Sequence, residues 1–351
     1  MSDRKLAVGW FDNMSFRHAC EPHLGRIKEV FFAWPGVIAS RPMDDWTAKR
    51  RAQAVADLKW ARDNGVELDT IFNANCYGDI SMSEKLADIV TEKLGEMDAN
   101  GLFPDHLTTT SPFIAKIVRL RFPSLKIRLS INMDIASPVA LGYVEDLFDS
   151  FYAGRNSHRR LDYVKEMSAW AKEHGKTMGI QANPGCLRNC PFHTFHNNLH
   201  GHNRVGQSAA AEKFGFTNFL CRTVFERGGY EEFMRAIWIR PEDLPRYEPY
   251  VGVVKLATRR HPNPDKIIAA YATRSYDGDL AEIMDPFYRF PMAIDNKSLG
   301  ASPLWPEVRD CANADNCRKC GKCAELLKAV SKDRGEASPS MSGVFKGFFK
   351  G

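Results

Sequence analysis

Short apolar runs recur along the chain, each about the length of one β-strand, and polar segments with helical spacing separate them. The runs are LAVGWF (6–11), EVFFAW (29–34), LDTIFNA (68–74), HLTTT (106–110), IRLSIN (127–132), FDSFYA (148–153), TMGIQA (177–182) and VGVVKLA (251–257). β-Branched and aromatic residues dominate them, as expected of strands. Helices are expected at 47–63, 81–99, 112–121, 138–146 and 160–174, where apolar residues return every three or four positions. In the first, Ala52, Val55, Ala56 and Trp60 are expected to line the buried face.

Strands alternating with helices predict parallel pairing through right-handed crossovers. Eight such units in about 260 residues fit a (β/α)8 barrel. A doubly wound open sheet is the competitor, but no G-x-G-x-x-G turn follows the first strand. One connection is too long for a compact unit, residues 183–250 between the seventh and eighth strands. It begins where a barrel carries its active-site loops. The expected organisation is a barrel over 1–262, a cysteine-rich extension over 263–335 and a flexible tail over 336–351. The tail's phenylalanines and lysines suit contact with a partner or a membrane surface.

Composition narrows this picture. The 351 residues are 44% hydrophobic and 26% charged, with a net charge of +5, ordinary for a globular chain and only mildly basic. No apolar run reaches the length of a membrane span. No secretory signal opens the chain, so a cytoplasmic location is expected. Thiols stay reduced there, and nine cysteines, seven of them after residue 185, read as metal ligands rather than disulfides.

The cysteines fall into two sets. Cys311, Cys317, Cys320 and Cys323 read C-x5-C-x2-C-x2-C. That core spaces three thiolates to hold corners of a [4Fe–4S] cluster, with structural zinc as the alternative. The stretch NPGCLRNCPFHTFHNNLHGH (183–202) supplies Cys186 and Cys190, and Cys221 follows in the same insertion. A second cluster there needs a fourth ligand, from Cys76, a histidine such as His193, or a C-terminal cysteine folded over the mouth. Cys20 has no partner spacing and reads as core. His193 and His196 are the best candidates for a ligand, proton donor or substrate contact, ahead of His200 and His202.

If the barrel forms, polar residues ending its strands share one cavity. These are Asn73, Asn75, Asn132, Asp134, Tyr152, Arg155, Asn156, Asn183, Lys255 and Arg259. Arg155, Lys255 and Arg259 suit an anionic substrate, and Asp134 is the expected proton acceptor beside Lys255. Capping of the following helix is the competing role for Asn75 and Asn132.

The loop NPGCLRNC, the element IRPEDL (239–244), the last-strand sequence VVKLATR (253–259) and the segment AGRNSHRRLDYVKEM after strand six together resemble the collagenase-like peptidases, peptidase family U-32. The resemblance spans most of 1–262. It implies a barrel with a [4Fe–4S] cluster held by four cysteines at its mouth. It further implies oxygen-independent hydroxylation of RNA bases or quinone precursors, despite the family name. Here Ala257 and Thr258 stand where the family has glutamate and glycine. Only three of the four family cysteines are matched, as Cys186, Cys190 and Cys221, and four others are added near the C-terminus. No G-x-S-x-G or H-E-x-x-H motif marks a peptidase. The expected function is an iron–sulfur oxidoreductase or hydroxylase acting on a small-molecule or peptide substrate. The alternatives are a metal-dependent hydrolase or a non-catalytic electron-transfer subunit. An electron donor or protein partner is compatible with this. RNA is disfavoured because no aromatic–basic stacking motif stands out.

Overall fold

The computed structural model describes residues 3–40, 46–202, 220–311, 317 and 320–334. Eight parallel strands close into a barrel in chain order: β1 Leu6–Gly9, β2 Ile27–Phe32, β3 Glu67–Phe72, β4 His106–Thr109, β5 Lys126–Leu129, β6 Ser150–Tyr152, β7 Thr177–Gln181 and β8 Val253–Leu256. β8 pairs with β1 to complete the ring. The predicted fold class is therefore the observed one, and each predicted run contains most or all of its strand. The runs overshoot mainly at their C-terminal ends, where the chain leaves the ladder to form the mouth.

Local chemistry sets the helices. Ser83, Ser111 and Ser137 each accept a backbone N–H three residues ahead, capping helices Glu84–Ala99, Pro112–Arg121 and Pro138–Gly142. Proline follows the cap in the last two, where its missing N–H costs nothing. Gly101 and Gly175 adopt φ of 69° and 62° just past their helices, a left-handed turn open to glycine without strain.

One expected face is wrong. Helix Ala48–Asp63 buries Ala54, Asp57, Leu58 and Ala61, while Ala52 and Ala56 are exposed and Val55 and Trp60 are half-buried. A carboxylate occupies the buried stripe because it has partners: Asp57 accepts hydrogen bonds from Trp10 Nε1 (3.2 Å) and Arg17 Nε (3.0 Å). Helical alanines on both sides left the periodicity with little contrast.

Helix Pro264–Thr273 follows β8 and packs on helix Phe16–Cys20, so the eighth unit runs past the boundary set at 262. The chain then returns across the mouth. Asn183, fully buried, ties β7 to this return: its Oδ1 accepts Ala257 N–H (2.7 Å), and its Nδ2 donates to Ala257 O (3.4 Å) and Ile283 O (3.2 Å). β9 Met292–Ile294 and β10 Ser331–Asp333 form a separate antiparallel pair. No helix among the described residues is long and apolar enough to cross a membrane. The tail beyond 334 and the side chains of His200 and His202 lie outside the described residues.

Candidate functional site

The barrel interior carries charge. Arg128 on β5 grips Glu29 on β2 through both nitrogens and reaches Asp69 on β3 (3.2 Å), while Thr108 donates to Asp69. Burial would raise the Glu29 carboxyl, but Arg128 outweighs it and holds the group below its ordinary range. Burial wins at Asp69, which is raised. Sequence reading missed this layer; the only available sign was a charged residue inside an otherwise apolar strand. At the end of the barrel away from the mouth, Glu29, Glu67 and His106 bring ligand atoms within 4.8 Å of one another. Both Glu29 oxygens are already taken by Arg128, so this trio belongs to the barrel's internal network.

Above that layer lies the mouth. A cavity of about 90 Å³ is lined by Asn73, Asn132, Arg155, Cys186, His196, Lys255 and Arg259, over an apolar floor of Phe31, Ile71 and Ile131. These predicted residues are thus brought together. Lys255 stands over the Phe31 ring at 4.1 Å from its centroid and over Tyr152 at 5.2 Å. Burial, opposed by Asp69 but helped by Arg259 and Arg128, lowers the ammonium from its usual 10.5 to about 8. Arg155 donates to Asn132 Oδ1 (2.7 Å) and lies 3.9 Å from Cys186 Sγ.

Three predicted roles need correction. Tyr152 does not reach the cavity: it points into the buried charged layer, 3.4 Å from both Arg128 and Glu29, and forms the platform under Lys255. Asn183 is consumed by the backbone tie described above. Asp134 is committed as an acceptor, its Oδ1 to Arg155 N–H (2.7 Å) and Oδ2 to Asn156 Nδ2 (3.1 Å), and so holds the loop that aims Arg155. Asn75 and Asn132 do not cap helices either. Asn75 Nδ2 donates to Asn132 O, Asn132 Nδ2 to Asn73 O, and Asn73 Oδ1 accepts from Ser40, which laces the strand ends together.

The thiols of the insertion gather beside this cavity. Cys186 lines it, and Cys190 lines an adjoining one with Asp134, Asn75 and His193. Cys221, on helix Leu220–Gly228, receives the Tyr288 hydroxyl at 3.4 Å. Burial raises its thiol to about 11, with Cys186 and Cys190 adding to the effect. His193 Nε2 is buried without a hydrogen-bond partner. Burial, with Arg155 and His196 beside it, drops this imidazole to about 3, so it stays neutral. Cys76 lines neither cavity, and its sulfur accepts Gly78 N–H in its own turn (3.4 Å).

These side chains test for a cluster. N–H and O–H donors stand on the sulfurs of Cys186 and Cys221, and a neutral, unpartnered imidazole lies beside Cys190, a donor set that suits a thiolate-held metal centre.

No family model matches the chain. Over 285 residues it is 23% identical to an uncharacterized protease, MJ1657, of Methanocaldococcus jannaschii, covering 78% of this chain and 80% of that protein. The solved structure of the U32 peptidase Mk0906 matches with a TM-score of 0.51 at 15% identity, covering 73% of this chain and 94% of that one. Together they bear out the resemblance read from residues 1–262, in sequence and in fold.

Proposed function

We propose that this barrel, similar to the U32 peptidases in sequence and fold, is an iron–sulfur enzyme of redox or group-transfer type acting on a small anionic substrate at its mouth. The observation that carries the reading is the convergence of Cys186, Cys190 and Cys221 beside a cavity lined by Arg155, Lys255 and Arg259. Oxygen-independent hydroxylation, which the resemblance implies, is its finer form.

Cys186, Cys190 and Cys221 would hold the cluster, with His193 Nε2 as the fourth donor in place of the missing cysteine. A bound cluster supplies one-electron exchange or an iron open to substrate. The chain's own residues do the rest. Lys255 and Arg259 bind the substrate's carboxylate or phosphate. Arg155, fixed by Asn132 and Asp134, sets its orientation while donating toward Cys186. Phe31, Ile71 and Ile131 exclude water from the floor.

The test is iron, acid-labile sulfide and zinc per chain on anaerobically purified protein, beside Cys186→Ala/Cys190→Ala and Lys255→Ala/Arg259→Ala. The first variant is expected to lose about four irons. The second is expected to keep its iron but bind benzoate at least tenfold more weakly by calorimetry. Zinc without iron, or unchanged iron in the cysteine variant, overturns the reading.

A further inference from the structure

The function above leaves one motif unused. Cys311, Cys317, Cys320 and Cys323 could have folded over the barrel mouth to complete the first thiol set. They do not. Cys323 lies in the first turn of helix Lys322–Val330, which buries Leu326, Leu327 and Val330 and packs against helix Glu231–Arg235. Arg235 lies near the Cys323 thiol and also feels Cys317, while Arg159 adds a second positive charge. On the other side, Lys322 feels Cys320 and Cys311 and pairs with Glu307. The four cysteines therefore share one neighbourhood, ringed by cations, on the flank of the barrel.

A cluster of aromatic side chains runs from Cys221 toward the Arg235 helix. Tyr288, whose hydroxyl meets Cys221, stacks on Phe290 at 5.2 Å. Phe225 and Phe233 pack edge-on against that pair. Phe233 is followed two residues later by Arg235, the partner of Cys323. Each thiol set thus has its own donors: Tyr288 and Arg155 at the mouth, Arg235 at the flank.

We propose that Cys311, Cys317, Cys320 and Cys323 hold a second iron–sulfur cluster, separate from the mouth and fastened to the barrel through Arg235. The spacing favours a cluster over zinc. The C-x2-C-x2-C core wraps three thiolates around one corner of a cubane. Gly321, at φ 71°, makes the reversal between Cys320 and Cys323 without strain.

The experiment uses the full chain, purified anaerobically. Iron, sulfide and zinc are counted, and dithionite-reduced samples are examined by low-temperature EPR. The wild type is compared with Cys317→Ser/Cys320→Ser, with the exposed single change Cys320→Ser, and with Cys186→Ser/Cys190→Ser. The wild type is expected to carry about eight irons and each double variant about four, each losing a different EPR signal. Arg235→Ala should keep its iron but show a more negative midpoint for the flank signal, since a positive charge and a donor leave the thiolates. Full wild-type iron and an unchanged spectrum in both flank variants overturn the proposal, as does one zinc per chain lost with Cys317 and Cys320. Iron lost only in the flank variants would instead sink the mouth assignment and leave this one standing.

Discussion

Lys255 is the residue where binding and stability pull against each other. Its ammonium is buried over two aromatic faces, with Arg259 and Arg128 near it. The folded value near 8 lies below the ordinary 10.5 of an unfolded chain. Between those two values the unfolded state binds the extra proton, so native stability rises with pH across that window; below pH 8 the full burden is present. Lys255→Met is therefore expected to raise the melting temperature at pH 7, by a stabilisation on the order of 3 kcal/mol. The gain should shrink toward pH 10, and benzoate binding should be lost. Thermal melts of both proteins at the two pH values check this; a variant that melts lower at pH 7 would mean the ammonium is a net stabiliser. Sequence alone placed Lys255 at a strand end, hence at the mouth. It could not show that Tyr152, two strands away in the ring order β6, β7, β8, lies under it as a platform rather than beside it. Inward-pointing residues share a barrel face, but their height depends on strand stagger, which sequence does not display.

At the scale of elements, the eight strands were legible because parallel strands covered on both faces read as continuous apolar runs. Helix faces were legible only where apolar contrast was high; the alanine-rich helix Ala48–Asp63 misled, because its buried Asp57 is satisfied by distant Trp10 and Arg17. The tie at Asn183 was also invisible, since its partners lie 74 and 100 residues away. Asn183→Ala would leave one buried N–H and two carbonyls without this partner, at a cost of about 1–3 kcal/mol for each group left unsatisfied. We expect a clear fall in the urea midpoint with an unchanged slope, and a looser segment around Ile283 by hydrogen exchange. An unfolding free energy within about 0.5 kcal/mol of wild type would show that water replaces all three bonds.

At the scale of the whole molecule, the question is how firmly the extension is joined to the barrel. Trp238 from the insertion and Trp305 from the extension stack at 5.4 Å, nearly parallel. Arg159 lies over both rings, at 4.8 and 5.3 Å, and also holds the carbonyls of Met234, Ala236 and Val308. Trp305 Nε1 donates to Asp243 (3.0 Å). One arginine after strand six thus clamps the return leg of the insertion and the helix Trp305–Arg309 that leads to Cys311. Because the clamp joins the helix that leads to Cys311, breaking it should loosen the flank before the mouth. Trp305→Ala removes a large buried ring, a change that typically costs about 3–5 kcal/mol. If the extension opens as its own cooperative unit, exchange should rise across residues 292–334 while the barrel strands stay protected. Iron should then fall toward half, with the signal assigned to Cys186 and Cys190 retained. Equal loss of protection in barrel and extension would mean instead that the two unfold as one, and that the aromatic cluster couples the two thiol sets.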